Sequence, residues 1–424
     1  MSVPRTASLG AACLLAMATL SAAPRPDPSP SAAAQAPSPL QDAVRRVWAA
    51  SPDVQAARAG LAAAQARAQA AAQPLYNPSL SLEAENADVD RRTAGISLAL
   101  DLSGKRRARA SQGSADLLAS EAGYELLRRD LAARWLKAWA TASLAARQRA
   151  LGQRRLALMQ RFDALAAEQL KVGDISSPER DLAGLALGEA QIQQAALIGN
   201  EAAARATLSS IGGDAVDPLP ALDNGMPPPA GIVPLPDDER PEWRQASARQ
   251  ASADAGVQVA RRARIPDPTL GLVGGRVRNG PLSDRVIGVI IAIPLPVLNS
   301  GRAEVAAARA EAEAAAAELR AQRQRLHAGL QEAQARYAAL RDAAAAFRQG
   351  RAAAFEDRAA LLERLWRAGE IGTSDYLVQL KQSLDTALSG QELESQAWQA
   401  WFDYLGAAGR LTDWLDGRTQ ETSR

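Results

Sequence analysis

Proline is absent from residues 79–177 and again from residues 297–424, while eight prolines crowd residues 212–241. Proline removes a backbone donor and clashes with the preceding helical turn. Two such long proline-free spans therefore leave room for very long helices. The pattern predicts them over residues 106–172 and 302–368, 67 residues each, or about 100 Å apiece at 1.5 Å per residue. In the second, Leu326, Leu330, Ala333, Tyr337, Leu340, Ala344 and Phe347 recur at spacings of 4 and 3, a heptad seam of the coiled-coil kind. The chain holds 97 Ala, which lets neighbouring helices approach closely. No single globular core covers a helix of that length, so the chain must belong to a rod or a tube.

The halves on either side of the proline-rich stretch repeat one plan. Asn77-Pro78-Ser79-Leu80-Ser81-Leu82 opens one pair of short apolar runs, and Asp267-Pro268-Thr269-Leu270-Gly271-Leu272 opens the other. Gly104-Lys105 and Gly301-Arg302 then open the long Ala-rich spans. Lys171-Val172-Gly173-Asp174-Ile175 and Arg367-Ala368-Gly369-Glu370-Ile371 close them, 69 and 68 residues from glycine to glycine. Each half reads helix, strand, strand, very long helix, turn, helix. Period-two alternation places Leu80 and Leu82, then Ile96, Leu98 and Leu100, on one side of the first two strands. Leu270 and Leu272, then Val289, Ile291 and Ile293, take that place in the second pair. Residues 88–92 and Asn279-Gly280-Pro281 are the expected turns.

Residues 9–20 form an apolar run after one positive charge, followed by Ser21, Ala22 and Ala23. This is the layout of an export signal. Gly10-Ala11-Ala12 before Cys13 make a poor lipid-attachment box. The expected segments are a signal peptide over 1–23, a disordered Pro/Ala/Ser-rich lead-in over 24–39, repeats over 40–211 and 241–409, a Pro-rich linker over 212–240 and a C-terminal tail over 410–424.

Composition excludes several function classes. A net charge of +2 argues against a nucleic-acid binder. One Cys and one His leave no Cys/His metal site and no disulfide framework. His327 has no partner ligand in the sequence and reads as a helix-surface or packing residue. No phosphate-cradling glycine loop or other enzyme signature stands out. Neither a cofactor nor a dedicated metal site is expected, and past the N-terminus no apolar stretch is long enough for a membrane-spanning helix.

Four strands are too few for a membrane barrel, because closed barrels start at about 8 strands and open edges are not tolerated in lipid. The hairpins are either part of a soluble periplasmic coiled-coil protein or one share of a barrel built from several copies. Three copies give 12 strands.

In its duplicated plan, its Asn-Pro and Asp-Pro strand starts and its Gly-[Asp/Glu]-Ile turns, the sequence resembles the TolC-type outer membrane efflux proteins over residues 40–409. Residues 77–86 (NPSLSLEAEN), 100–109 (LDLSGKRRAR) and 293–311 (IPLPVLNSGRAEVAAARAE) resemble the outer membrane components of cobalt–zinc–cadmium-type heavy-metal efflux systems. The resemblance implies a mainly α fold with a small β part. It implies a homotrimer whose 12-stranded barrel sits among outer membrane lipid and continues as a periplasmic α-helical tunnel. It implies a passive, gated exit duct that works with a periplasmic adaptor and an inner-membrane resistance–nodulation–division pump. A duct for drugs, solvents or secreted protein is the alternative cargo reading.

By the same resemblance, Val172, Gly173, Asp174, Ile175 and Ser176 meet the adaptor in one hairpin. Ala368, Gly369, Glu370, Ile371 and Gly372 do so in the other. Asp375, with Glu179 and Asp181 in the first half, matches the acidic gate. Where some relatives carry a second acid three residues on, this chain has Val378. The basic residues Lys105, Arg106, Arg107, Arg109 and Arg302 fall where barrel and tunnel should join.

Overall fold

The structure, a computed structural model, describes residues 36–86, 89–212, 220, 226–229, 231–350 and 355–417; the expected signal peptide lies outside them. The first repeat runs α1 (Ser38–Ala50), α2 (Pro52–Ala72), β1 (Ser79–Glu85), β2 (Val89–Ala99), α3 (Lys105–Val172) and α4 (Ser177–Gly212). The second runs α5 (Pro241–Ala263), β3 (Thr269–Asn279), β4 (Leu282–Ala292), α6 (Arg302–Gln349), α7 (Phe355–Arg367), α8 (Thr373–Ala407) and α9 (Leu411–Asp416).

Helix α3 is 68 residues long. Its upper part packs on α2 and α5 and its lower part on α4 and α8, while α6 packs on α5 and α8. Two apolar clusters lie along this rod. A belt joins Trp48, Trp135, Trp139, Tyr337, Trp401 and Trp414. A cluster lower down joins Met159, Phe162, Trp366, Tyr376, Leu380 and Leu384. All seven positions of the α6 seam are buried or half-buried, and Tyr337 stacks on Tyr404 with centroids 5.7 Å apart.

The second long helix is not continuous. α6 stops at Gln349, and Gly350 is extended, with φ −76° and ψ 156°. Its N–H closes the Ala346 and Phe347 carbonyls. The first repeat also carries a glycine near this point, Gly152, yet α3 runs through it. Gly152 lies under the Leu197 and Gln194 side chains of α4, and that close packing offsets glycine's poor helix propensity of about 1 kcal/mol. Gly350 is exposed.

The four strands make one antiparallel sheet in the order β1-β2-β3-β4, rather than two separate hairpins. Pairing of β2 with β3 runs from Val89↔Asn279 to Ala99↔Thr269. That pairing draws Val89 and Asp90, expected in a turn, into β2, and Arg91 and Arg92, expected there too, pair with both β1 and β3; Asp88 lies outside the described residues. Leu100 and Ile293, expected as strand residues, fall just past β2 and β4. The Leu100 N–H instead bonds the Pro268 carbonyl at 2.9 Å. The turn at Gly280-Pro281 forms as expected, with Gly280 at φ 58°.

Three segments read as connectors or ends contribute to the core. Ala36 is buried and its N–H bonds the Trp414 carbonyl at 2.8 Å, and α1 already starts at Ser38. Leu411, Trp414 and Leu415 bury α9 in the belt. In the linker, the Pro228 carbonyl accepts from the Tyr337 hydroxyl, and the Pro220 carbonyl accepts from Trp139 Nε1 at 3.0 Å.

Sheet and helices meet in a polar junction. The Asp101 carboxylate accepts from the Lys105 and Arg106 backbone N–H groups at 2.8 Å each, which favours a helix start. Lys105 Nζ pairs with Asp267 of the other repeat at 2.8 Å, and the Tyr76 hydroxyl donates to the same carboxylate oxygen at 2.5 Å. Asp267 is 5% exposed in its side chain and Lys105 16%. Removing one member of a buried pair costs about 3 kcal/mol, whereas an exposed pair is worth under about 1 kcal/mol. Asp267→Asn should therefore lower the thermal midpoint in detergent by several degrees, while Lys171→Ala, at the exposed pair with Glu168, should leave it almost unchanged.

Candidate functional site

Two features lie at opposite ends of α3. The first is the pair of helix turns farthest from the sheet. α3 ends in a Schellman motif: the Asp174 N–H bonds the Gln169 carbonyl at 2.9 Å, the Gly173 N–H bonds Leu170 at 3.2 Å, and Gly173 has φ 82°. α7 ends the same way. The Glu370 N–H bonds Leu365 and the Gly369 N–H bonds Trp366, both at 3.0 Å, with Gly369 at φ 72°.

Val172, Gly173, Asp174, Ser176, Ala368, Gly369, Glu370 and Gly372 are exposed at these turns. Ile175 and Ile371 are not free apolar knobs; both lean half-buried on the lower core. The large exposed apolar side chains here are Val172, at 72%, and Val378, at 62%.

The three acidic residues separate. Glu179 closes a capping box, accepting from the Ser176 N–H at 2.8 Å and from its hydroxyl at 2.7 Å. Those bonds hold its carboxyl below the ordinary range. Asp181 and Asp375 are exposed, and neither makes an ion pair among the described residues. Asp375 lies in the first turn of α8.

Beneath the turns, Phe162 lies 4.6 Å from Trp366 and 4.8 Å from Tyr376, centroid to centroid. Burial pushes the Tyr376 hydroxyl up to about 12, so it stays protonated. Trp366 Nε1 donates to Thr373 Oγ1 at 3.2 Å across the second turn, and Arg180 pairs with Asp163 at 2.7 Å across the first. Sequence reasoning missed this support. Its trace is the spacing of Tyr376, Leu380, Leu384 and Ala387, which forms a buried stripe starting just after the turn.

The second feature is the sheet. Cross-strand partners share a face, and one face is apolar: Leu80, Ile96, Leu272 and Val289 form a row, as do Leu98, Leu270 and Ile291. These side chains are between 37% and 73% exposed. The other face carries Ser79, Ser81, Ser97, Gly95, Gly271 and Gly275 and is the less exposed one along β2 and β3. The sheet thus curves with this face, which also holds Val273, Val277, Val286 and Ile290, on the concave side. Among the described residues, no strand lies beside the outer backbone edges of β1 and β4.

No helix of the described residues is long and apolar enough to cross a membrane. Among them no group of three or more His, Cys, Asp and Glu is placed to hold a metal ion. His327 Nε2 lies 2.9 Å from Asp237 and ties α6 to the linker.

Residues 237–409 match the family model described as "Outer membrane efflux protein". A nickel-cobalt-cadmium resistance protein, NccC, of Alcaligenes xylosoxydans xylosoxydans is 29% identical over 261 residues. That stretch is 57% of this chain and 57% of the relative, so it spans little more than half the length of the curated protein. The fold is similar to a membrane protein of Pseudomonas aeruginosa, with TM-score 0.74, 20% identity and coverage of 89% of this chain and 93% of that one. It is similar to CusC, with TM-score 0.73, 17% identity and coverage of 88% and 93%. The CmeC outer membrane channel of Campylobacter jejuni gives TM-score 0.73, 15% identity and coverage of 90% and 89%.

The tip geometry has separable consequences. An added Cβ meets nothing within 4 Å at Gly173, Gly369 or Gly188, so only backbone conformation decides. Alanine at Gly173 or Gly369 should cost about 1–2 kcal/mol, and Gly188→Ala within α4 should gain about 0.5–1 kcal/mol; chemical denaturation followed by circular dichroism checks the signs. The lowered Glu179 carboxyl gives the first hairpin stability that is full at neutral pH. It is lost as pH falls through that group's folded value. Protection of the tip amides against hydrogen exchange should drop on acidification, and Glu179→Ala should flatten that response.

Proposed function

We propose that this chain is an outer membrane efflux protein, the exit duct of a tripartite efflux pump, and works as a homotrimer. The observation that carries the reading is the four-stranded sheet, with an apolar convex face and two unpaired edges, set at the end of a 68-residue helix. Lipid tolerates an apolar face but no open backbone edge. Pairing β4 of one copy with β1 of the next satisfies both. Three copies close a 12-stranded barrel, within the range of membrane barrels, with the face of Ser79, Ser81, Ser97, Gly95, Gly271 and Gly275, which also holds Val273, Val286 and Ile290, toward the lumen. The same threefold arrangement brings α3, α4 and α6 to α8 together into a periplasmic tunnel. Domain limits follow the repeats, with the linker and α9 bracing the belt between them.

At the tunnel's far end, the exposed turns around Gly173 and Gly369, with Val172 as their apolar contact, are the surface offered to a periplasmic adaptor. The energy source is an inner-membrane pump of the resistance–nodulation–division type. Asp375, exposed and unpaired among the described residues, is the gate residue. Three copies around an axis form a negative ring that draws cations and resists closure by like-charge repulsion. Asp181, on α4, is a second exposed acid, while Glu179 serves the hairpin cap. The cargo class is heavy-metal cations. The nickel-cobalt-cadmium resistance relative supports this, and the chain conducts them without a soft-ligand site of its own.

The native mass of protein extracted from outer membranes in detergent tests the duct: a trimer is expected, and a soluble periplasmic monomer would sink the reading. Leu272→Arg places a charge on the lipid face, at a cost of about 2–4 kcal/mol near the bilayer midplane, and should deplete the outer membrane trimer. Val273→Arg, one residue on and facing the lumen, should assemble and change conductance instead. Asp375→Asn should reduce cation preference in planar bilayers without altering assembly.

A further inference from the structure

Above the apolar rows, toward the β3–β4 turn, the lipid-facing side of the sheet changes abruptly. Arg92 pairs with Arg276, and Arg276 pairs with Arg285. Strand neighbours lie about 4.8 Å apart, so three guanidinium groups sit side by side on one face. All three residues are exposed. None has an ion-pair or hydrogen-bond partner among the described residues, and Arg278 continues the cluster two residues on.

Like charges directly opposite one another destabilise a sheet. The concave face at the same height shows the ordinary solution, with Glu85 opposite Arg91. Among the described residues of the convex face only Asp90 is acidic, and its register partner is Arg278. The row is also placed at a defined height. From Arg285 down to Ile293 the outward positions Ile287, Val289, Ile291 and Ile293 are all apolar and exposed. Eight residues span about 27 Å along the strand, close to the ~25 Å band of a membrane barrel. The arginines therefore end the hydrocarbon-facing band on the side away from the helices.

We infer that Arg92, Arg276 and Arg285 form a binding site for the phosphate groups of lipid headgroups in the leaflet farthest from the helical tunnel. Guanidinium binds phosphate in bidentate fashion, and three in a row fit a headgroup carrying more than one phosphate. The anion removes the repulsion that the register imposes and fixes the barrel's depth in the bilayer. This site rests on the reading of the sheet as part of a membrane barrel.

The test uses the full chain purified from outer membranes in detergent and titrated with lipid A, a diphosphorylated lipid, by native mass spectrometry. The triple variant Arg92→Gln/Arg276→Gln/Arg285→Gln should bind on the order of a hundredfold more weakly, and Arg276→Gln alone about fivefold more weakly, at roughly 1 kcal/mol per basic residue. Arg91→Gln, on the lumen face, should bind like wild type. Fully dephosphorylated lipid A should bind wild type as weakly as lipid A binds the triple variant. If the triple variant does not assemble, the single substitution carries the test.

A membrane-extracted trimer whose lipid A affinity is the same with and without the arginines overturns this inference alone. Equal binding of the dephosphorylated lipid overturns it too, and so does inorganic phosphate competing at the affinity of the lipid. A wild-type chain recovered outside the membrane overturns the channel reading first and this site with it.

Discussion

A helix of 68 residues stays ordered only if other segments cover it along its whole length, and the architecture follows from that requirement. Helical stability comes chiefly from tertiary packing of an apolar face rather than from propensity. α2 and α5 cover the upper part, α4 and α8 the lower part, and the changeover is where the largest side chains collect. Trp135, Trp401 and Tyr337, all nearly inaccessible, fill the space left as one set of partners gives way to the other. The proline-rich linker is drawn there as well, because its Pro220, Pro228 and Ile232 carbonyls accept from Trp139, Tyr337 and Tyr404, while α9 adds Leu411, Trp414 and Leu415 to the same belt.

The duplication explains much of what could be read directly from residues. Gly173 and Gly369 sit where their spacing from Gly104 and Gly301 puts them, and both take the positive φ that ends a helix. The α6 heptad seam packs inward as its period requires. Strand identity was legible from alternation, but strand limits were not. β2 gains Val89 and Asp90 only by pairing with β3, a partner some 190 residues away in sequence, and no local pattern announces it. Leu100 and Ile293 keep the alternation of the strands they follow yet lie outside the ladder.

The tip shows the same division. The turns were legible because glycine at a helix end has a local cause. The fates of the acids were not. Glu179 lies three residues after Ser176, a spacing that itself spells a capping box, and the structure uses it so. Ile175 and Ile371 lean inward because aromatic residues from three helices, Phe162 of α3, Trp366 of α7 and Tyr376 of α8, create a surface for them. That surface exists only once the hairpins pack together. The arginine row on the sheet is of this kind too, because three residues from three strands become neighbours only through register.

Gly350 breaks the symmetry of the two repeats. One arm of the tip is a single hydrogen-bonded rod from the junction to Gly173, while the other loses its ladder 19 residues before Gly369. Axial load applied at the first turn travels up α3 undivided. Load applied at the second must pass through α8, whose 35 residues run unbroken from Thr373 into the aromatic belt. The two arms therefore differ in compliance, one a strut and the other a spring leaf, although they descend from the same plan.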